Sequence, residues 1–139
     1  MLILDTNHLT ELGYKSRAGV RLERRLIESG EEVVTTIVSI EEQLRGWLAL
    51  IGKQADVHRQ IEAYTALGER LEFLSCFKVL TWDKPSADLF KDFRTRGIRI
   101  GTMDLKIASI AMANDAVLLT RNLVDFERVP ALRYENWLD

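Results

Sequence analysis

The chain has 139 residues, 47% hydrophobic and 29% charged, with a formal net charge of −2; this is the composition of an ordinary globular protein, and the expectation is one domain over 1–139. Two prolines and eight glycines argue against a disordered or linker-rich chain, while a lone Cys76 and only His8 and His58 argue against a disulfide framework or a zinc site. No stretch reaches the roughly 18 to 20 apolar residues that span a membrane, the amino terminus lacks the pattern of a secretory signal, and the slight acidity leaves any polyanion to a local basic patch; the chain is expected to be cytoplasmic.

Leu2 to Leu4 form a short unbroken apolar run that ends in Asp5-Thr6-Asn7. Such a run reads as a strand buried on both faces of a parallel sheet. Asp5 then stands at the strand's carboxyl end, where open α/β sheets collect their ligands. Two readings of Asp5 stay open: a carboxylate held there for a metal ion, or the cap of a helix over 6–12.

Residues 16–29 predict a helix that carries Val20, Leu22, Leu26 and Ile27 among charges and stops at Gly30. The β-branched stretch 33–38 predicts a second strand. Ser39 then opens a helix to Ile51 whose apolar face is Ile40, Leu44, Trp47, Leu48 and Ile51. A longer helix is expected over 53–75, with Val57, Ile61, Tyr64, Leu71 and Leu74 as its stripe. Residues 77–81 suit a third strand, followed by the helix-start signal Asp83-Lys84-Pro85 and a helix ending near Gly97. The segment 102–114 is helical and apolar almost all round, so it belongs in the interior. Short apolar runs at 116–119 and 132–137 complete the strands. Strands alternating with helices predict a three-layer α/β domain, a central parallel sheet flanked by helices.

Chain direction brings several carboxylates and amides to one rim of such a sheet. Asp5 follows the first strand, Glu42 lies early in the helix after the second, Asp104 in the first turn of the buried helix, and Asn122 and Asp125 beyond the strand at 116–119. Asp104 shares a face with Ala108 and Ala111, so it points inward, where a carboxylate needs a partner; a favourable place near the helix's positive end is its other reading. Glu42 follows Ser39 by three residues, the pattern of a capping box, so capping competes with metal binding there. Asn122 and Asp125 equally suit turn formers. Gathered carboxylates repel one another unless a cation is present, and a hard divalent ion prefers oxygen ligands and activates water against a phosphodiester. The chain holds neither GxGxxG nor GxxxxGK[ST], so the acids are its candidate chemistry.

Taken together, Leu-Asp-Thr-Asn at 4–7, Ser39 to Gly46 around Glu42, Asp104-Leu-Lys-Ile-Ala, Thr120-Arg121-Asn122 with Asp125-Phe126, and the ending Tyr134-Glu135-Asn136-Trp137 resemble the PIN-domain ribonucleases, and among them the VapC-type toxins of toxin–antitoxin pairs. The resemblance runs nearly the length of the chain. It implies a PIN fold, and Asp5, Glu42, Asp104 and Asn122 as catalytic positions. Mg²⁺ or Mn²⁺ would be held by Asp5, Glu42 and Asp104 with Asp125 as a further ligand, and Thr6 and Asn7 would orient the carboxylates. Asn122 stands where some relatives carry Asp, so it brings an oxygen but no charge. The implied reaction is hydrolysis of an RNA phosphodiester by metal-activated water. The implied partners are a VapB-like antitoxin and a second copy of the chain. Arg94, Arg96, Arg99 and Arg121 flank the third and fourth motifs and are the expected phosphate contacts; the arginines at 17, 21, 24 and 25 read as a solvated face. A PIN nuclease for housekeeping RNA maturation and a non-catalytic RNA- or protein-binding PIN module are the alternatives. An aspartyl-nucleophile phosphatase is disfavoured, because Asn7 leaves no second Asp two residues after Asp5.

Overall fold

Leu2–Leu4 (β1) occupies the middle of a five-stranded sheet in the computed structural model, which describes residues 1–139. The remaining strands are Val33–Thr36 (β2), Lys78–Leu80 (β3), Val117–Leu119 (β4) and Tyr134–Glu135 (β5), in the order β3-β2-β1-β4-β5, with every pairing parallel. The chain steps outward from β1 through β2 to β3, then returns to lay β4 on the other side of β1. That reversal makes the crevice between the carboxyl ends of β1 and β4 the switch point at which open α/β sheets bind ligands.

Alternation along the strands divides the core in two. Ile3 and Leu118 face one way and pack with Val34, Phe93, Leu105, Ile107, Ile110 and Phe126. Leu2, Leu4 and Leu119 face the other, against Leu9, Leu22, Leu26 and Leu74. Lys84–Thr95 (α5) and Thr102–Ala113 (α6) cover the first face; Thr6–Tyr14 (α1), Arg17–Ser29 (α2) and the end of Gln60–Leu74 (α4) cover the second. The expected three-layer α/β arrangement with a central parallel sheet is therefore present. α6 is the interior helix that its composition implies: Leu105, Ile107, Ala108, Ile110 and Ala111 have no exposed surface.

Local signals placed most element ends. Ser16 caps α2 by accepting from Gly19 N at 3.0 Å, and Gly30 closes it at φ 66°, a left-handed turn that suits glycine. Asp83 caps α5, with Pro85 in its first turn.

Several expectations are corrected. The second strand stops at Thr36, and Ile37–Gly52 (α3) begins two residues before Ser39, because the Thr36 hydroxyl accepts from Ser39 N at 3.0 Å and acts as the cap. Ile37 and Val38 are β-branched, yet they form the first helical turn, and burial of Val38 under the sheet outweighs their strand preference. The long helix expected from Lys53 starts only at Gln60, after a turn in which Asp56 accepts from His58 N at 2.9 Å. Of its stripe only Leu74 is core: Val57, Ile61, Tyr64 and Leu71 are exposed, and α4 buries only Arg70 besides. The face of α3 is likewise shifted, since Val38, Ser39, Gln43 and Ile51 are buried while Leu48 is exposed. A short helix, Leu123–Phe126 (α7), occupies what reads from sequence as a turn.

Candidate active site

Asp5 realises its reading as a helix cap. It caps α1, its Oδ1 accepting from Thr6 N at 2.7 Å, and its Oδ2 accepts from the Thr120 hydroxyl at 2.9 Å across the β1–β4 crevice. The residue is only 6% exposed. Burial pushes its carboxyl above the usual range, against the opposing pull of the Thr6 and Thr120 hydrogen bonds.

Thr120 is the start of a polar chain. Its Oγ1 also accepts from Asn122 N at 3.0 Å, and the Asn122 side-chain amide donates to Asp104 Oδ2 at 3.1 Å and to Asp125 Oδ2 at 2.8 Å. Asp5, Asp104, Asn122 and Asp125 are thus joined at one rim through Thr120. Asp104 lies in the first turn of α6 as expected, and its carboxyl is raised by burial and then by the charge of Asp5, while the Asn122 bond opposes the shift. Asn122 serves as a bridge here, separating two carboxylates by donating to both.

Glu42 reaches the same rim from α3. Because the helix starts at Ile37, Glu42 sits in its second turn and the capping box with Ser39 does not form. Its Oε1 is buried without a hydrogen-bond partner. Burial first, then the charges of Asp5, Asp104 and Glu41, push its carboxyl up to about 7. A buried acceptor left unpaired is costly, and a cation is the partner that such an oxygen and its like-charged neighbours have in common. No three acidic side chains stand close enough to enclose one ion as they lie. The donor set nevertheless has the chemistry of a hard-cation site: carboxylate oxygens only, mutually repelling, half-buried.

Of the two residues expected to orient the acids, Thr6 does so through its backbone N–H; its hydroxyl lies buried without a partner of good geometry, and Asn7 is exposed. Sequence reasoning assigned no role to Thr120, although a threonine closing an apolar strand at the rim was the available signal. It also passed over a buried polar cluster behind the site. Gln43 donates to Thr6 O at 3.3 Å and Thr10 Oγ1 at 3.0 Å, and accepts from Arg70 Nε at 3.0 Å; Arg70 also donates to Leu9 O. His8 is fully buried, its Nε2 accepting from Trp137 N at 3.2 Å, and burial followed by the charge of Arg121 lowers it to about 4.

The four expected phosphate contacts differ in their surroundings. Arg94 donates to Ile98 O, Ile100 O and Thr102 Oγ1, bracing the turn into α6. Arg96 pairs with Asp92 and Arg121 with Glu11 and Asp139, all at 3.3 to 3.6 Å. Arg99 is exposed and its guanidinium makes no ion pair; only its carbonyl is engaged, by Arg128.

The chain matches the family described as PIN domain over residues 2–132. It is 38% identical over 69 residues to a protein of Rickettsia felis named Ribonuclease VapC2, an alignment covering 47% of this chain and 52% of that one. The chain thus spans about half the length of this relative. A protein of Haemophilus influenzae named Ribonuclease VapC1 is 28% identical over 141 residues, covering 97% of this chain and 96% of that one. In three dimensions the chain is similar to the solved VapBC2 structure of Rickettsia felis bound to a DNA fragment from their promoter, with a TM-score of 0.70, 23% identity and 98% of each chain covered. No helix is long and apolar enough to cross a membrane.

Proposed function

Since this chain belongs to the PIN domain family, we propose that it is a Mg²⁺- or Mn²⁺-dependent endoribonuclease, the toxin of a VapBC-type toxin–antitoxin pair. One observation carries the reading: Asp5, Asp104, Asn122 and Asp125, from elements far apart in the chain, are joined at one rim through Thr120, and Glu42 reaches that rim with its Oε1 buried and unpartnered. Three carboxyls that impede one another's ionisation are a set adapted to a cation. Relatives named as VapC ribonucleases support the same reading.

Asp5, Glu42 and Asp104 would hold the ion, directly or through water, with Asp125 as a further oxygen donor. A divalent cation bound there supplies an activated water and offsets charge on the phosphodiester. The chain's own residues do the rest. Thr6 N–H and the Thr120 hydroxyl fix both oxygens of Asp5, so its position does not depend on the ion. Asn122 holds Asp104 and Asp125 in reach of the rim. Glu42, whose carboxyl is pushed to about 7 without a cation, is the ligand whose ionisation near neutrality the ion would favour most. Arg99 contacts phosphate directly, Arg96 and Arg121 do so on leaving their carboxylates, and Arg94 holds the turn that presents them. A VapB-like antitoxin covers the site in the inhibited pair, and the chain acts as a homodimer in the cytoplasm.

The test is RNA cleavage by the purified chain with Mg²⁺ or Mn²⁺, with EDTA, and with Asp5→Asn or Asp104→Asn. Cleavage that requires the metal and is lost in both folded variants is the expected result. Equal cleavage in EDTA overturns the metal mechanism. A folded, metal-loaded protein inert on every RNA favours the binding-module reading. Growth arrest on expression, relieved by a co-expressed small partner, separates the toxin from a housekeeping nuclease.

A further inference from the structure

A groove of about 350 Å³ leads away from the acids between α1 and α3. Thr6, Thr10 and Tyr14 line one wall; Glu42, Gly46 and Trp47 are the principal residues of the other. The spacings are helical, i, i+4, i+8 on α1 and i, i+4, i+5 on α3, so each wall is one ridge of its helix. The acidic end is marked by Glu42 and Thr6. The far end is aromatic, and Thr6 to Tyr14 spans about 12 Å at 1.5 Å per residue.

Three features give this groove the character of a binding site. Tyr14 is 63% exposed, an unusual placement for an aromatic ring at the end of a helix. Its ring is backed by the buried Arg70 guanidinium, 5.2 Å from the centroid, so it is a held platform. The floor is open at Gly46, where an added Cβ would meet nothing within 4 Å. Between the ends lies the Thr10 hydroxyl, which donates to Thr6 O at 2.9 Å, accepts from Gln43 Nε2 at 3.0 Å and keeps a lone pair for one further donor.

Aromatic faces at one end, a hydroxyl acceptor between, and a phosphodiester-cleaving centre at the other suit an unstacked nucleobase. We propose that this groove is a nucleobase subsite: Tyr14 and Trp47 stack the base of a nucleotide flanking the scissile phosphate. The proposal rests on the ribonuclease reading above and adds to it the statement that the substrate is single-stranded at that nucleotide. Distance places the stacked base beyond the scissile nucleotide, because Tyr14 lies about two helical turns from Thr6 and Trp47 more than one turn from Glu42. A protein side chain from a partner is the other occupant that an aromatic groove admits. The polar middle and the continuity with the acidic rim favour RNA.

The experiment uses a cleavable single-stranded oligoribonucleotide and a set of the same oligonucleotides with an abasic residue at each flanking position in turn. With the wild-type chain, one abasic position is expected to raise KM about tenfold while kcat changes little. Tyr14→Ala and Trp47→Ala should show that raised KM on the intact oligonucleotide and be insensitive to the abasic change; Tyr14→Phe and Trp47→Phe should behave as wild type. Gly46→Leu provides a variant that adds bulk to the groove from a Cβ with nothing within 4 Å and improves helix propensity. It should raise KM about as much as the alanine variants, with an unchanged or higher Tm. Equal response of wild type and variants at every abasic position overturns the proposal. So does unaltered RNA kinetics together with lost binding of a partner protein, which would make the groove a protein contact. Should the wild type cleave no RNA, the nuclease reading fails by itself, and anisotropy binding of the same oligonucleotides decides the subsite: equal affinity for intact and abasic RNA overturns it.

Discussion

Thr120 and Asp5 are 115 residues apart, and the hydroxyl of the first donates to Oδ2 of the second at 2.9 Å. The contact exists because β4 lies beside β1 in parallel register, Leu4 opposite Leu119, which brings the residue after each strand to the same rim. Thr120→Val removes the donor to Asp5 and the acceptor of Asn122 N together. Unsatisfied buried partners of this kind cost about 1–3 kcal/mol. The expected outcome is a lower Tm and a higher metal requirement for cleavage, with Thr120→Ser restoring both; thermal melts and metal titrations of the two variants check it.

The acids also set a pH dependence. Glu42 has its carboxyl raised from an ordinary 4.5 to about 7, so over that interval the folded chain keeps a proton that the unfolded chain has lost. Stability falls wherever the native state binds more protons as pH rises. Relative to Glu42→Gln, the metal-free wild type should therefore lose Tm as pH climbs from about 4.5 to about 7, with Asp5 and Asp104 acting in the same direction and His8, lowered to about 4, acting in the opposite direction in both proteins. Mg²⁺ should restore the loss at the upper end, where the carboxylates are ionised and repel. Melting curves across the interval with and without Mg²⁺, and with Glu42→Gln, measure it; metal-free profiles of wild type and Glu42→Gln that stay parallel would contradict the coupling.

Arg94 and Arg99 are five residues apart and should fail in different ways. Arg94→Gln loses donors to Ile98 O and Ile100 O and should lower Tm. Arg99→Gln touches no such bond and should leave Tm alone while weakening RNA binding. Its salt dependence should drop by about one phosphate contact. Affinity measured over a salt series, beside melts of both variants, distinguishes them.

Gly19 marks where α1 and α2 cross. A Cβ there would lie 2.0 Å from the Glu11 carbonyl oxygen and 2.6 Å from its carbon, both backbone atoms that cannot step aside. Gly19→Ala should cost about 1–3 kcal/mol or more through overpacking. Gly68→Ala, inside α4 with nothing within 4 Å of the added atom, should instead stabilise by about 0.4–1 kcal/mol. Denaturant unfolding of the two variants gives opposite signs.

The acidic rim was legible because its logic is topological. A carboxylate following a parallel strand must stand at the sheet's carboxyl edge, whatever the details of packing, and Asp5 needed no more than that; Asp104, which follows helix α5, was legible from the inward face it shares with Ala108 and Ala111. Glu42 was harder. Ser39 and Glu42 have the spacing of a capping box, but Thr36 had already taken the cap, shifting the helix start by two residues and turning a surface role into an inward one. The α4 stripe misled for a related reason: regular apolar spacing marks a face, and only the contacts say whether that face is covered. Val57, Ile61 and Tyr64 are on the outside.

Apolar runs, their lengths and the turn residues between them were enough to determine the layered α/β architecture, the parallel sheet and the set of acids at its edge. Tertiary structure alone decided that Thr120 holds Asp5, that Asn122 bridges Asp104 and Asp125, and that Arg70 stands behind Tyr14. Those contacts depend on strand register and helix phase, which arise from packing between segments far apart in the chain and leave no trace in the local preferences of either.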